Sequence, residues 1–220
     1  MSPWSYSSIK MFEQCPKKYQ HLRVLCDVTD TGGPAAIYGQ DVHKAIEDYF
    51  RDGTPIPMKY MFVNEAVAAF EAIPGEKHAE LGLGVVKEEQ GFSPCSFDDP
   101  AAWWRGIADL VVIDGPKAIV NDWKTGKSAW YADMKQLDLL AGAVFTHFPA
   151  VQKVKSSLTF LVAETFIKKI HHREHLDTYL GVFDNVLDNL QTAHETGVWN
   201  AKSSPLCGWC PVTTCEHNPG

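Results

Sequence analysis

Two apolar, β-branched segments, 103–113 and 118–124, are separated only by the turn-forming tetrapeptide Asp114-Gly115-Pro116-Lys117, a pattern that predicts an antiparallel hairpin. A turn over those four residues sets the register: Ile113 faces Ala118, Val111 faces Val120, and Asp109 faces Asp122. Strand alternation puts Asp122 and Lys124 on one face with Val111, Ile113 and Val120, and sends Trp123 to the other. Directly opposed residues have Cβ atoms ~5 Å apart, and two carboxylates at that separation repel by roughly 3 kcal/mol at an effective dielectric of ~20. A divalent cation with oxygen ligands relieves this, and the main-chain carbonyl of Trp123 is available as a further ligand. Lys124 then stands beside the metal, placed to orient or deprotonate a water or to stabilise charge building on phosphorus. An isolated Asp-x-Lys is more often an ordinary cross-strand ion pair, so the surrounding residues must decide.

Upstream, residues 5–24 read as a helix, with Ser5 or Ser7 as N-cap, followed by helices over 38–51 and 58–73. Strands are expected over 77–86 and across the hairpin, with a loop between them carrying Gly91, Pro94 and Pro100. A helix over 131–148, a strand over 156–163 and a long amphipathic helix over 177–196 complete the pattern. The 220 residues, 45% hydrophobic and 21% charged, suit one folded domain in three parts: helical 1–75, a sheet core 76–165, and a C-terminal helix with a Cys-rich segment 166–220. No apolar run approaches the ~20 residues that span a bilayer, and the first ten residues lack a signal-peptide pattern, so the expectation is a cytoplasmic protein without membrane contact. The net charge of −7 argues against gripping nucleic acid by bulk charge. Local positive charge lies at Lys17-Lys18, Lys153/Lys155 and Lys168-Lys169, the last with His171, His172, Arg173 and His175.

His43 and Glu47, four apart, share a helix face with Gly39 and can point together at a metal. Cys207, Cys210 and Cys215 form a C-x2-C-x4-C cluster, compact enough for three thiolates on one metal centre. A fourth ligand is missing locally. Cys15 would close a four-thiolate clasp between the two ends of the chain, and His217 is the alternative for a zinc ion. Spacing alone does not choose between iron–sulfur and Zn2+. Cys26 and Cys95 have no partner spacing.

Taken in order, Tyr6-Ser7-Ser8-Ile9 with Cys15-Pro16, Gly39-x3-His43, Gly106-x2-Asp109, Asp122-x-Lys124, Gln136 and the C-terminal Cys triplet resemble the RecB-like branch of the PD-(D/E)XK nucleases, over about residues 5–215. In particular the chain looks like the iron–sulfur exonucleases related to CRISPR-associated and AddB-type nuclease domains. The resemblance implies an α/β, restriction-endonuclease-like fold: a mixed central sheet flanked by helices, the hairpin at its centre, the N- and C-termini tied by a four-Cys cluster. It also implies a metal-dependent DNA exonuclease acting in recombination, repair, or phage or CRISPR DNA processing, in a bacterial or phage-infected cell. His43, Asp109 and Asp122 would hold Mg2+ or Mn2+, Lys124 would be the catalytic lysine, Gln136 would position substrate or active-site groups, and Glu80 on the first strand could face the same site. Cys15, Cys207, Cys210 and Cys215 would hold a 4Fe-4S cluster, with Zn2+ as the alternative. Partners would be DNA and a helicase, recombinase or other DNA-processing protein. Leu140 stands where the family's Gln-x3-Tyr pattern has Tyr, and the last Cys spacing is four where five is common. The competing reading is a nuclease-like, non-catalytic DNA-binding or partner-binding subunit.

Overall fold

A computed structural model of the chain describes residues 3–130 and 132–219. Its helices are α1 (Tyr6–Gln14), α2 (Pro16–Tyr19), α3 (Pro34–Asp52), α4 (Asn64–Glu71), α5 (Lys135–His147), α6 (Leu176–Leu180) and α7 (Asp184–Thr196). The strands are β1 (Glu76–Lys87), β2 (Phe92–Cys95), β3 (Trp104–Asp114), β4 (Lys117–Lys124), β5 (Lys153–Phe160) and β6 (Thr165–His172). These elements pack into two compact units, residues 33–182 and the paired terminal segments 3–32 and 183–219.

The larger unit is a six-stranded mixed sheet in the order β2-β1-β3-β4-β5-β6, with the β3–β4 hairpin at its centre. The hairpin has the register expected from its turn, with Ile113 opposite Ala118, Val111 opposite Val120 and Leu110 opposite Asn121. Strands β4 and β5 run parallel, which requires the crossover that α5 provides. Every other pair is antiparallel. Parity then assigns the faces. Leu110, Val112 and Trp123 pack with Val42 and Ile46 of α3 and Val67 of α4, while Leu158 and Phe160 pack with Leu137 of α5, so helices cover both faces. Gly106 owes its identity to packing: a Cβ there would lie 2.6 Å from the Trp104 ring, within the van der Waals envelope.

The expected helix 58–73 is a 3-10 helix over Met58–Val63 followed by α4, and four further differences from the sequence expectations have local causes. Strand β2 occupies the expected loop around Pro94, a residue tolerated because β2 is an edge strand. The opposite edge, β6, escapes detection because its lysines and histidines blur the alternation. The expected helix 5–24 breaks at Cys15, where Pro16 forces the preceding residue out of the helical region (φ −160°, ψ 106°) and a π-helical turn follows α2. The expected helix 177–196 is interrupted by a 3-10 turn over Gly181–Phe183. The expected helix start at Tyr131 lies outside the described residues; α5 begins at Lys135.

In the terminal unit, α1 opens with a capping box between Ser5 and Ser8. Phe12, Tyr19 and Trp199 pack edge-on and stacked, and Trp4 and Tyr6 meet Phe183. Lys202 Nζ donates to the Glu13 carbonyl at 2.8 Å and Lys17 pairs with Glu216 at 2.7 Å, so the tail is fastened to the first helices by polar contacts. Among the described residues, no helix is long and apolar enough to cross a membrane.

Candidate functional site

Three carboxylates stand side by side on adjacent strands. Asp109 on β3 and Asp122 on β4 lie one step beyond the Leu110–Asn121 pair of the hairpin. On the other side of β3, the pairing of β1 is regular except at Glu80, which falls opposite Asp109 and is skipped between the Ala79–Leu110 and Leu81–Ala108 pairs. Glu80 has φ +50°, a left-handed conformation that a non-glycine side chain adopts at a cost of order 1 kcal/mol, strain of the kind that gathers at functional sites. His43 approaches from α3, with Nδ1 3.4 Å from Asp109 Oδ2. One ligand atom each from His43, Glu80 and Asp109 lies within 4.8 Å of the others. This set of imidazole nitrogen and carboxylate oxygens is of the chemistry that holds a hard divalent cation.

The electrostatics reflect that crowding. Burial, and then the Asp109 charge, push the Glu80 carboxyl up to about 7 against the opposing pull of His43. Asp122, 4% exposed, is raised by the same two causes, with Lys124 opposing. Burial works to lower the His43 pKa, but its bond to Asp109 and the surrounding carboxylates outweigh burial and raise it. Both aspartates are nevertheless held in place. The Trp123 backbone N–H donates to Asp109 Oδ2 at 2.6 Å, and Gln136 Nε2 on α5 donates to Asp122 Oδ1 at 2.6 Å. Lys124 Nζ sits 2.5 Å from Asp122 Oδ2 as an ion pair off the hydrogen-bonding direction, leaving that buried oxygen without a directed donor.

The structure therefore brings together Asp109, Asp122, Lys124, Gln136, His43 and Glu80. Glu47 lines the same open cleft as His43, Glu80 and Asp109, but its carboxylate is engaged by Arg51 and Lys44. The Trp123 side chain lies in the core on the α3 face, as alternation requires. Sequence reasoning missed a buried network behind Gln136. Asp138, two residues on along α5, accepts from His171 Nε2 at 2.8 Å and pairs with Lys169 at 2.5 Å, while His171 Nδ1 meets Ser156 Oγ at 3.3 Å. The available signal was a lone acid inside the apolar run 137–145. Two expected sources of surface charge are withdrawn: His171 is fully buried, and Arg173 donates to the Val151, Phe145 and Phe148 carbonyls.

In the terminal unit, Cys15, Cys207, Cys210 and Cys215 line one cavity with Lys17, Lys18 and Lys202. Backbone N–H groups of Lys18 and Ser204 point at the Cys15 and Cys207 sulfurs at 3.5 and 3.3 Å. Among the described residues no three cysteine sulfurs come within 4.8 Å of one another, a wider spread than four ligands ~2.3 Å from a single zinc ion require. His217 does not line the cavity, and Cys26 and Cys95 lie outside it.

The six-stranded mixed sheet, with an Asp-x-Lys strand meeting a second acid across a central hairpin, defines a nuclease-type α/β domain. The sequence model of the PD-(D/E)XK nuclease superfamily matches residues 3–215, and the chain belongs to that superfamily. Among solved structures, the protein SSO0001 is similar over 100% of this chain and 89% of its own, at 13% identity and a TM-score of 0.52. A Eubacterium rectale protein named "Putative exonuclease" matches over 84% of this chain and 80% of its own, at 12% identity and a TM-score of 0.44. No curated protein matches the sequence.

Proposed function

We propose that the protein is a Mg2+- or Mn2+-dependent deoxyribonuclease that hydrolyses phosphodiester bonds from DNA ends, of the RecB-like iron–sulfur kind. The observation that carries this reading is the row Glu80, Asp109 and Asp122, with His43 against Asp109 and Lys124 against Asp122. His43, Glu80, Asp109 and Asp122 would hold the cation, with the Trp123 carbonyl as a further ligand. A bound cation supplies Lewis-acid polarisation of the phosphate and a water of lowered pKa. The chain's own residues do the rest. The Trp123 N–H and Gln136 each fix one oxygen of an aspartate, so both carboxylates are held in a set geometry. Lys124, about a third exposed at the rim, is free to exchange its contact with Asp122 for a phosphate oxygen and to stabilise the charge that develops there. Glu80 accepts or gives up a proton near neutrality, so that cation binding and proton release are coupled at that carboxylate.

For the cysteine cavity, the four converging residues and the N–H···S contacts support a four-thiolate metal centre, which on the family resemblance is a 4Fe-4S cluster, with Zn2+ as the alternative. Anaerobically purified protein should be brown, with broad absorption near ~400 nm that Cys210→Ser abolishes. A colourless, zinc-containing protein refutes the cluster.

The test of the activity is digestion of end-labelled linear and circular DNA, single- and double-stranded, in Mg2+ or Mn2+, by wild type and Asp122→Ala. Cleavage by wild type alone, sparing circles, is the expected result. Binding of DNA by folded, metal-loaded wild type without turnover would establish the non-catalytic subunit instead.

A further inference from the structure

Away from the carboxylates, on the α4 face of the sheet, four lysines stand together without acidic partners. Lys117 and Lys153 are direct neighbours in the parallel β4–β5 ladder, Lys155 follows two residues along β5, and Lys168 on β6 pairs with Ser157. Parity places all four on one face. Like charges directly opposed are destabilising unless a counter-charge sits between them. Asp114, Glu65 and Glu164 line the same surface, yet among the described residues none of the four lysines is in an ion pair. Lys168 Nζ instead lies 3.8 Å over the Phe166 ring.

The lysines line two adjoining cavities of about 250 and 460 Å³ that share Ile73, Ile119 and Lys155. Together they form a groove following β5. Its far end is at Lys117 and Lys153; at its near end Thr159 and Phe160 pair with Trp123 and Lys124, and the Leu161 N–H donates to the Lys124 carbonyl at 2.8 Å. At ~3.3 Å per residue, the stretch from Lys153 to Thr159 is about 20 Å long. Apolar surface alternates with the charge: Phe166 and Phe62 are 55% and 42% exposed and line the same groove. Below it, Ser157 and Thr159 hydroxyls hold Asn121 Oδ1 at 2.7 and 2.6 Å, and the Asn121 Nδ2 is buried without a partner.

From this arrangement we infer that the groove is a second nucleic-acid site, which holds single-stranded DNA as it extends from the Lys124 end of the sheet along β5. The lysines meet successive phosphates, and Phe166 and Phe62 offer faces on which bases stack, the combination by which single strands are held without sequence preference. The length accommodates on the order of four nucleotides. The inference deepens the nuclease reading and rests on it for the direction in which the strand runs.

The experiment is fluorescence anisotropy of a labelled 20-residue oligothymidylate with the full chain, without divalent cations so that no cleavage occurs, over a range of salt. Four phosphate contacts contribute a slope of about −3 to the plot of log affinity against log salt concentration. The double variant Lys155→Ala/Lys168→Ala, both surface changes, should bind more weakly and make that slope shallower by about 1.4. Phe166→Ala should weaken binding about tenfold and leave the slope unchanged. Wild-type affinity and slope in the lysine variant would overturn the inference, as would displacement of the oligonucleotide by polyglutamate at equal charge, which would mark a docking face for an acidic protein. Cleavage in Mn2+ is measured separately. Cleavage with unaltered salt slopes sinks the groove and leaves the nuclease reading; lysine-dependent binding without cleavage does the reverse.

Discussion

Replacing Asp122 by Asn should make the cation-free protein more stable while destroying its activity. Asp122 is buried beside Asp109, and the counter-charge in contact with it is Lys124, whose side chain is 35% exposed and therefore partly screened by water. Two carboxylates ~5 Å apart repel by roughly 3 kcal/mol at an effective dielectric of ~20. Asn keeps an oxygen to accept from Gln136 and lets Lys124 turn to solvent, so part of that repulsion is offset by the lost ion pair and a net gain of about 1–2 kcal/mol remains. The pH dependence follows from the direction of the shift. Asp122 and Glu80 both have folded pKa values above their unfolded ones, so their protonated forms favour the native state below pH ~4, and wild type loses that stability as pH rises through the folded values, about 7 for Glu80. The advantage of Asp122→Asn should therefore be absent near pH 4 and fully developed at pH 8. Urea denaturation in EDTA reads it as a midpoint raised by roughly 0.5–1 M at pH 8. Added Mn2+ should reverse the order, because a ligand that binds only the native state stabilises the protein with the intact site more. An Asn variant less stable than wild type at pH 8 in chelator, or a difference independent of pH, would refute the account of the carboxylate row.

Three further outcomes are expected. Lys124→Ala and Asp109→Ala should each lower cleavage by about 10²–10⁴-fold with unchanged circular dichroism, read from initial rates on end-labelled DNA. Gln136→Ala should weaken Mn2+ binding about tenfold by calorimetry, since it frees Asp122 Oδ1 without removing a ligand. Asp138→Ala should destabilise the fold by about 3 kcal/mol in urea, because it leaves fully buried His171 without its acceptor; Asp138→Asn, which still accepts from Nε2, should cost less.

What the sequence reveals and what it hides follow from how local each determinant is. The hairpin is legible because a four-residue turn fixes the register and a period of two fixes the faces; the structure repeats both, down to Trp123 packing opposite Asp122. Capping by Ser5 is legible for the same reason, since donor and acceptor are three residues apart. Edge strands are harder to read because they bury one side at most, and Pro94 in β2 and the lysines of β6 are what an edge admits and a central strand excludes.

The site divides along the same line. Glu80 can be assigned to a strand from its neighbours, but nothing within the strand announces a left-handed φ at that residue; the skipped position is seen only once β3 is aligned alongside with Asp109 in register. Asp138, His171 and Ser156 come from three elements up to 33 residues apart, and no periodicity links them. The four lysines of the groove show the limit from the other side. Lys153, Lys155 and Lys168 are visible as local charge, but Lys169 beside them is spent on Asp138, and Lys117 joins the set only through the parallel β4–β5 register. Which of two adjacent lysines is free for a phosphate is thus decided by strand parity: on β6, even-numbered Lys168 faces the groove and odd-numbered Lys169 faces α5.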